Sequence, residues 1–289
     1  LPTTAVLRAL FVFETYAHLG RGWKILDIPC LELHVAHGCN LSCESCSHYS
    51  NQGHKGMLST SDAAAWMQAW HTRVRPHTLG LLGGEPAINP ALPEIFAIAR
   101  KYWPHARLKL TTNGFFLHRH PTLPAMLRDD GNATISLSVH HDAPEYMEKV
   151  RPVLLLLNGW VRDFGLQVVV QMSHQGWTRR YHGFGDSMMP FTQGQARKSW
   201  EICPAKAAPQ LFEGKIWKCA PLAYLKLQAE KYALSESWNP YLRYQPLAPD
   251  CSDMQLAEFL GREEESYCSM CPAEPVRFKL PIPVKIRES

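Results

Sequence analysis

Cys39, Cys43 and Cys46 stand in a C-x3-C-x2-C spacing, three thiols on one short stretch. Three thiolates so placed can hold three corners of an iron–sulfur cube, leaving the fourth iron open to bind and reduce a ligand. Zinc is the competing metal, but its sites favour paired C-x2-C knuckles, and no partner pair lies close by. A disulfide framework would suit a secreted chain, and a chance grouping would do no chemistry. A second set, Cys203, Cys219, Cys251, Cys268 and Cys271, occupies the C-terminal third. Within it, Gly214 to Cys219 is a G-x4-C ending a hairpin strand, and Cys268 to Cys271 is a C-x2-C followed by Pro272. Four thiolates can hold one [4Fe–4S] cluster or one structural zinc.

The first set needs a strand to carry it. Leu31 to Ala36 alternates and reads as one, which places the three cysteines on the loop at its C-terminal end. Ser59 and Asp62 then form a capping signal ahead of the helical face Ala63, Trp66, Met67 and Trp70. Thr78 to Leu82 reads as the second strand and delivers Gly83-Gly84. Pro90 opens a helix, and Arg107 to Thr112 is a third strand. A helix near Leu123–Arg128 precedes the fourth strand, Ala133 to Val139. Pro144 starts a helix that Pro152 is expected to break or kink. A further helical stretch from Val153 to Phe164 leads to the fifth strand, Gln167 to Met172. Alternation at roughly 25–35 residues per unit argues for a parallel sheet closed or partly closed into a barrel. From about Trp177 the periodicity weakens.

Composition narrows the class. The chain has 289 residues, 46% hydrophobic and 19% charged, enough for one α/β barrel and a small appendage. A formal charge of +4 without a Lys/Arg block excludes nucleic acid and an anionic membrane as main partners. Nine cysteines with no signal-peptide pattern lead us to expect a reducing, cytoplasmic compartment. The apolar run Val153 to Leu157 is far too short to span a bilayer.

The cysteine spacing resembles the cluster motif of the radical S-adenosylmethionine (SAM) superfamily, and Leu81-Leu82-Gly83-Gly84-Glu85-Pro86 resembles its GGEP segment. The resemblance implies a partial (β/α)6 TIM-like barrel with the site at the strand C-termini. It implies a [4Fe–4S] cluster on Cys39, Cys43 and Cys46 whose open iron chelates the amino and carboxylate groups of SAM. An electron from that cluster cleaves SAM to methionine and a 5′-deoxyadenosyl radical. Glu85 is expected to accept from the SAM amino group, with Gly83 and Gly84 letting backbone approach the methionine part. Ser138 and His140 match the family's ribose-binding positions. Thr112 and Asn113 end the third strand in the same way, and Gln171 could serve the adenosine end. Each of these polar strand ends could instead satisfy backbone groups. Ser45 departs from the family's aromatic residue before the third cysteine, with Tyr49 as a possible substitute.

The second set resembles the auxiliary-cluster appendage called SPASM, or Twitch in its short form. Five cysteines fit Twitch, with one [4Fe–4S] cluster on Cys203, Cys219, Cys268 and Cys271. The expected organisation is an N-terminal helical extension over residues 1–24, a radical SAM barrel over 25–190 and a Twitch-like domain over 191–289. Cys30 reads as an inert buried thiol. Cys251, in the turn Pro249 to Ser252, is a candidate hydrogen-atom donor; a spare ligand or passive turn residue are the alternatives. Arg179 to Gly183 could line a substrate pocket or form a surface loop, His140-His141-Asp142 is a candidate base, and Glu263 to Glu265 reads as a solvated face.

Only 38 residues precede Cys39, too few for the peptide-recognition domain that many relatives carry, so a small-molecule substrate is expected. The resemblance in size and layout is to Twitch enzymes acting on aminocyclitols and amino sugars, epimerases or alcohol dehydrogenases, supplied with electrons by a flavodoxin or ferredoxin. Epimerisation with Cys251 as donor is the first expectation and dehydrogenation the second. A peptide maturase with a separate recognition protein, and a non-catalytic iron–sulfur or zinc-stabilised protein, are the alternatives.

Overall fold

The structure is a computed structural model and describes residues 25–282. The helical extension expected over residues 1–24 lies outside the described residues. Five strands run parallel and neighbour one another in chain order: β1 (Leu26–Ala36), β2 (Val74–Gly83), β3 (Arg107–Thr112), β4 (Ala133–Val139) and β5 (Gln167–Met172). Four helices make the returns: α1 (Thr60–Trp70), α2 (Leu92–Tyr102), α3 (Leu123–Asp130) and α4 (Pro144–Phe164). The α/β fold with a parallel-rich sheet is therefore present.

Alternation along each strand explains the layers. Leu31, Leu33, Leu79, Leu81, Leu108, Leu110, Ile135 and Leu137 are buried in the hydrophobic core. The intervening residues, among them Glu32, Gly80, Lys109, Ser136 and Gln171, line one cavity that all five strands share. A single cavity touching five strands requires the sheet to curve round it.

The six-unit barrel expected from the sequence is corrected here. Among the described residues, the chain after β5 adds no further strand beside it. The next strand, β6 (Gln210–Phe212), joins the other edge, parallel to β1, and β7 (Lys215–Trp217) folds back antiparallel on it. Glu213 and Gly214 make that hairpin turn with both φ angles positive, as tight two-residue turns require. The stretch after β5 has no alternating apolar run to make a barrel strand. It is used instead to clamp the cysteine loop.

Two local expectations resolve differently. Ser59 does cap α1, its hydroxyl accepting the Asp62 N–H at 3.0 Å. Pro152 does not divide α4, which runs unbroken for 21 residues to Gly165, a left-handed cap with φ 67°. Pro152 lies on the exposed side of α4, where its ring and missing N–H disturb no packing. Among the described residues no helix is long and apolar enough to cross a membrane.

Candidate active site

The cysteine loop leaves β1 at Ala36 and is pinned by the loop that leaves β2. The Gly84 N–H donates to the Ala36 carbonyl at 2.8 Å, and the Glu85 N–H donates to the Gly38 carbonyl at 2.9 Å. A Cβ on Gly83 would lie 2.4 Å from the Ala36 oxygen, and one on Gly84 would lie 2.1 Å from the Gly38 oxygen. The glycines are thus required by the contact between the two loops. This contact stands beside the reason expected from the sequence, an approach of backbone to SAM.

Cys39, Cys43 and Cys46 gather on this loop, all as free thiols. Burial pushes the Cys43 thiol up, and its neighbours Cys39 and Cys46 add to the shift. Burial also raises Cys46, opposed by the backbone N–H groups of His48, Ser50, Asn51 and Tyr49 around its sulfur. The Leu41 N–H meets the Cys39 sulfur at 3.4 Å. Such N–H groups favour thiolate and the sulfides of a cluster. Asn40 Nδ2, His48 Nε2 and Ser50 Oγ are buried on the same loop without a hydrogen-bond partner among the described residues. Among the described residues no three His, Cys, Asp or Glu side chains stand close enough to hold one metal ion. A cube spreads its thiolates over separate irons, and the donor set here fits that chemistry.

Glu85 is fully buried beside this loop. Its Oε1 accepts from Thr112 Oγ1 at 2.5 Å and from the Ala87 N–H at 3.0 Å, while Oε2 accepts from the Asn113 N–H at 2.7 Å. A carboxylate offers about four acceptor positions, so one on Oε2 is left. Desolvation pushes the Glu85 carboxyl up to about 7, against the pull of Thr112, Asn113 and Ala87. A cationic ligand group would restore the charged form.

Thr112 and Asn113, expected among the SAM contacts, also hold the site together. The Thr112 hydroxyl donates to Glu85 and accepts the Gly114 N–H at 2.9 Å. Asn113 Nδ2 donates to Asn40 Oδ1 at 2.7 Å and its Oδ1 accepts the Phe115 N–H at 3.2 Å. Ser138 and Gln171 are register partners on β4 and β5, and Gln171 lines the cavity inside the sheet. His140 follows β4; its Nδ1 is buried with no partner among the described residues, and burial pushes its pKa down to about 4. A neutral imidazole with an open nitrogen can serve a hydroxyl.

Tyr49, named above as a substitute for the missing aromatic, is held inside the fold. It is fully buried, and its hydroxyl donates to the Pro221 carbonyl at 3.2 Å. Ser45, meanwhile, accepts the Arg180 N–H at 2.6 Å and donates to the Tyr181 carbonyl at 3.3 Å. Arg179 pairs with Glu44, and Trp177 Nε1 donates to the Glu44 carbonyl at 2.8 Å. The Arg179 to Tyr181 segment is therefore a clamp on the cysteine loop. Sequence reasoning missed Asn40, Ser45 and Trp177, because each works through a partner more than 70 residues distant; the C-N-L-S-C-E-S-C run itself was the only local signal.

The second thiol set converges. Burial raises Cys219, with Cys271, Cys203 and Cys268 adding to it. Cys219 immediately precedes α5 (Ala220–Lys231), which packs its apolar face into the core. The Glu265 N–H reaches the Cys268 sulfur at 3.5 Å. Among the described residues no three of these thiols stand close enough for one metal ion, and as a donor set they are suited to a cluster.

Cys251 lies elsewhere. Arg73, just before β2, holds it: Nη1 meets its sulfur at 3.4 Å, Nη2 its carbonyl at 2.8 Å, and Nη2 also pairs with Asp253 at 2.9 Å. The cysteine loop packs against the other end of β2. The ten residues of that strand separate the two by roughly 30 Å. Cys251 is not positioned to give a hydrogen atom at this site.

Residues 33–155 match the profile described as Radical SAM superfamily. Among curated proteins none matches the chain. Among solved structures, BtrN in complex with AdoMet and 2-DOIA is similar at 16% identity and TM-score 0.50, over 89% of this chain and 97% of that one. Native anSMEcpe with bound AdoMet and Cp18Cys peptide matches at 15% identity and TM-score 0.39, over 50% of this chain and 42% of that one. The chain therefore spans less than half the length of anSMEcpe. Streptococcus suis SuiB bound to S-adenosylmethionine matches at 12% identity and TM-score 0.35, over 76% of this chain and 67% of that one. At such identities the likeness to BtrN speaks to fold alone.

Proposed function

We propose that this chain, which carries a radical SAM superfamily domain over residues 33–155, is an enzyme that binds SAM above the sheet and oxidises a small polar alcohol. A [4Fe–4S] cluster on Cys39, Cys43 and Cys46 would supply the electron that divides SAM into methionine and a 5′-deoxyadenosyl radical. The observation that carries this reading is the single acceptor position left on buried Glu85, whose charge acts on the Cys39 thiol.

The protein's own part is positioning and exclusion of water. Glu85 accepts an N–H of the SAM amino group, with Thr112 and Asn113 holding the carboxylate still. His140 and Ser138 serve the ribose hydroxyls, and Gln171 reaches the adenosine end. Residues 25–190 form the radical SAM domain and 191–289 a Twitch-like one. An auxiliary [4Fe–4S] cluster on Cys203, Cys219, Cys268 and Cys271 would accept the electron released when a substrate radical becomes a carbonyl. A flavodoxin or ferredoxin serves as reductant.

Oxidation is preferred to epimerisation because Cys251 sits at the wrong end of the sheet. The small polar substrate is supported by the cavity that the five strands share, lined by Glu32, Lys109, Ser136 and Gln171, and by BtrN, whose structure holds AdoMet and 2-DOIA. The test is anaerobic reconstitution followed by reduction with dithionite and addition of SAM. Formation of 5′-deoxyadenosine that disappears in Cys43→Ala supports the reading; its absence from the iron-loaded wild type refutes it. A product lighter by two hydrogens marks oxidation, and an unchanged mass marks epimerisation.

A further inference from the structure

The clamp on the cysteine loop also touches the second thiol set, and there it carries an arginine with nothing to pair with. Thr178 bridges Arg277 in antiparallel fashion, and the Arg179 N–H donates to the Val276 carbonyl at 2.9 Å. Arg180 therefore runs beside the chain that leaves Cys271. Its own N–H is tied the other way, to Ser45 Oγ between Cys43 and Cys46 at 2.6 Å. Burial pushes the Cys271 thiol up to about 12, with Cys203 and Cys268 adding to the rise; among the described residues the Arg180 charge opposes it.

Arg179 next door is paired with Glu44, whereas Arg180, half-buried, makes no ion pair and no side-chain hydrogen bond among the described residues. An unpaired guanidinium keeps its whole charge and five N–H donors for whatever forms at the sulfurs. The Cys268 corner differs. Lys218 acts on that thiol, but the Glu265 carboxylate acts against it, and Lys218 Nζ is already bound to the Arg262 carbonyl. The uncompensated cation stands at the Cys271 corner.

A cube held by four thiolates is an anion, and one added electron makes it more so. A cation at short range therefore favours the reduced form and raises the reduction potential. We propose that Arg180 sets the potential of the auxiliary cluster by standing unpaired against its Cys271 corner, so that the cluster can take an electron from a substrate radical. This rests on the auxiliary-cluster reading of Cys203, Cys219, Cys268 and Cys271. In the oxidation that the electron completes, the O–H bond of the substrate radical breaks and its proton passes to water. The carbonyl forms, and one electron reduces the oxidised cluster.

The test is a reductive titration of the reconstituted full chain with titanium(III) citrate, followed by electron paramagnetic resonance. Wild type is compared with Arg180→Gln, Arg180→Met and Arg180→Lys, each with its iron and zinc content measured. Added SAM shifts the signal of the cluster that binds it and so tells the two clusters apart. At a fixed solution potential, the ratio of reduced to oxidised auxiliary cluster should fall tenfold or more in Arg180→Gln and Arg180→Met. Arg180→Lys, which keeps the charge, should stay within about threefold of wild type. An unchanged ratio in an iron-loaded neutral variant overturns the proposal. An equal fall in Arg180→Lys, or loss of the second cluster from both neutral variants, would make Arg180 a structural residue and overturns it too. Iron content separates the two readings. About eight irons per wild-type chain with unmoved potentials sinks the role of Arg180 alone, whereas about four, or zinc at the second set, sinks the auxiliary-cluster reading beneath it.

Discussion

The hydroxyl of Tyr49 donates to the carbonyl of Pro221 at 3.2 Å, across 172 residues of chain. Tyr49 follows the last cysteine of the first set, and its N–H donates to the Cys46 carbonyl at 2.9 Å. Pro221 follows Cys219 of the second set in the first turn of α5. One buried side chain thus ties the two thiol groups together. Tyr49→Phe leaves the Pro221 carbonyl without this donor and should cost about 1–2 kcal/mol. Urea unfolding of the protein should show a lower midpoint at an unchanged slope; an unmoved midpoint would mean the tie contributes nothing.

Gly84→Ala asks the same question of the loop contact. Its Cβ would fall 2.1 Å from the Gly38 oxygen, and backbone cannot swing aside as a flexible side chain can. Overpacking of this kind costs about 1–3 kcal/mol or more. The variant should lose most of the iron held by the wild type after reconstitution. Full iron retention would show that the two loops do not need this closeness.

Thr112→Val removes one of the three donors that oppose desolvation of Glu85. Desolvation pushes the Glu85 carboxyl up to about 7, so below that pH it is mostly protonated and no longer a carboxylate acceptor for the SAM amino N–H. SAM affinity should therefore rise as pH increases through 7, and Thr112→Val should move that rise to higher pH. At neutral pH the loss should be about tenfold, the equivalent of one charged hydrogen bond. Equilibrium dialysis with labelled SAM from pH 6 to 9 checks both, and a flat profile in both proteins would contradict the role given to Glu85.

Cys251→Ala should leave 5′-deoxyadenosine formation and substrate turnover within about twofold, because its site and the cysteine loop are far enough apart for their effects to be independent. A variant that still cleaves SAM but no longer forms product would restore Cys251 to the reaction.

Much of the architecture was legible where side chains alternate without interruption. The bounds expected for β3, β4 and β5 coincide with those in the structure. β1 and β2 begin several residues earlier than expected, because Pro29 and Pro76 lie within them and conceal the pattern. The cysteine loop and Gly83 to Glu85 were also legible, since their chemistry is local. The roles of Thr112, Ser45 and Tyr49 were not, because each depends on a partner brought in by tertiary folding. Cys251 shows this most plainly: its type suggested radical chemistry, and its placement is decided by Arg73, 178 residues away.

The most direct measurement is electron–nuclear double resonance on the reduced protein with SAM labelled at the amino nitrogen with 15N. A cluster held at three corners by Cys39, Cys43 and Cys46 binds that nitrogen at its remaining iron, so the spectrum should show 15N coupling that Cys43→Ala abolishes. A reduced, iron-loaded protein with no 15N coupling, or one in which zinc replaces the iron, would contradict the account.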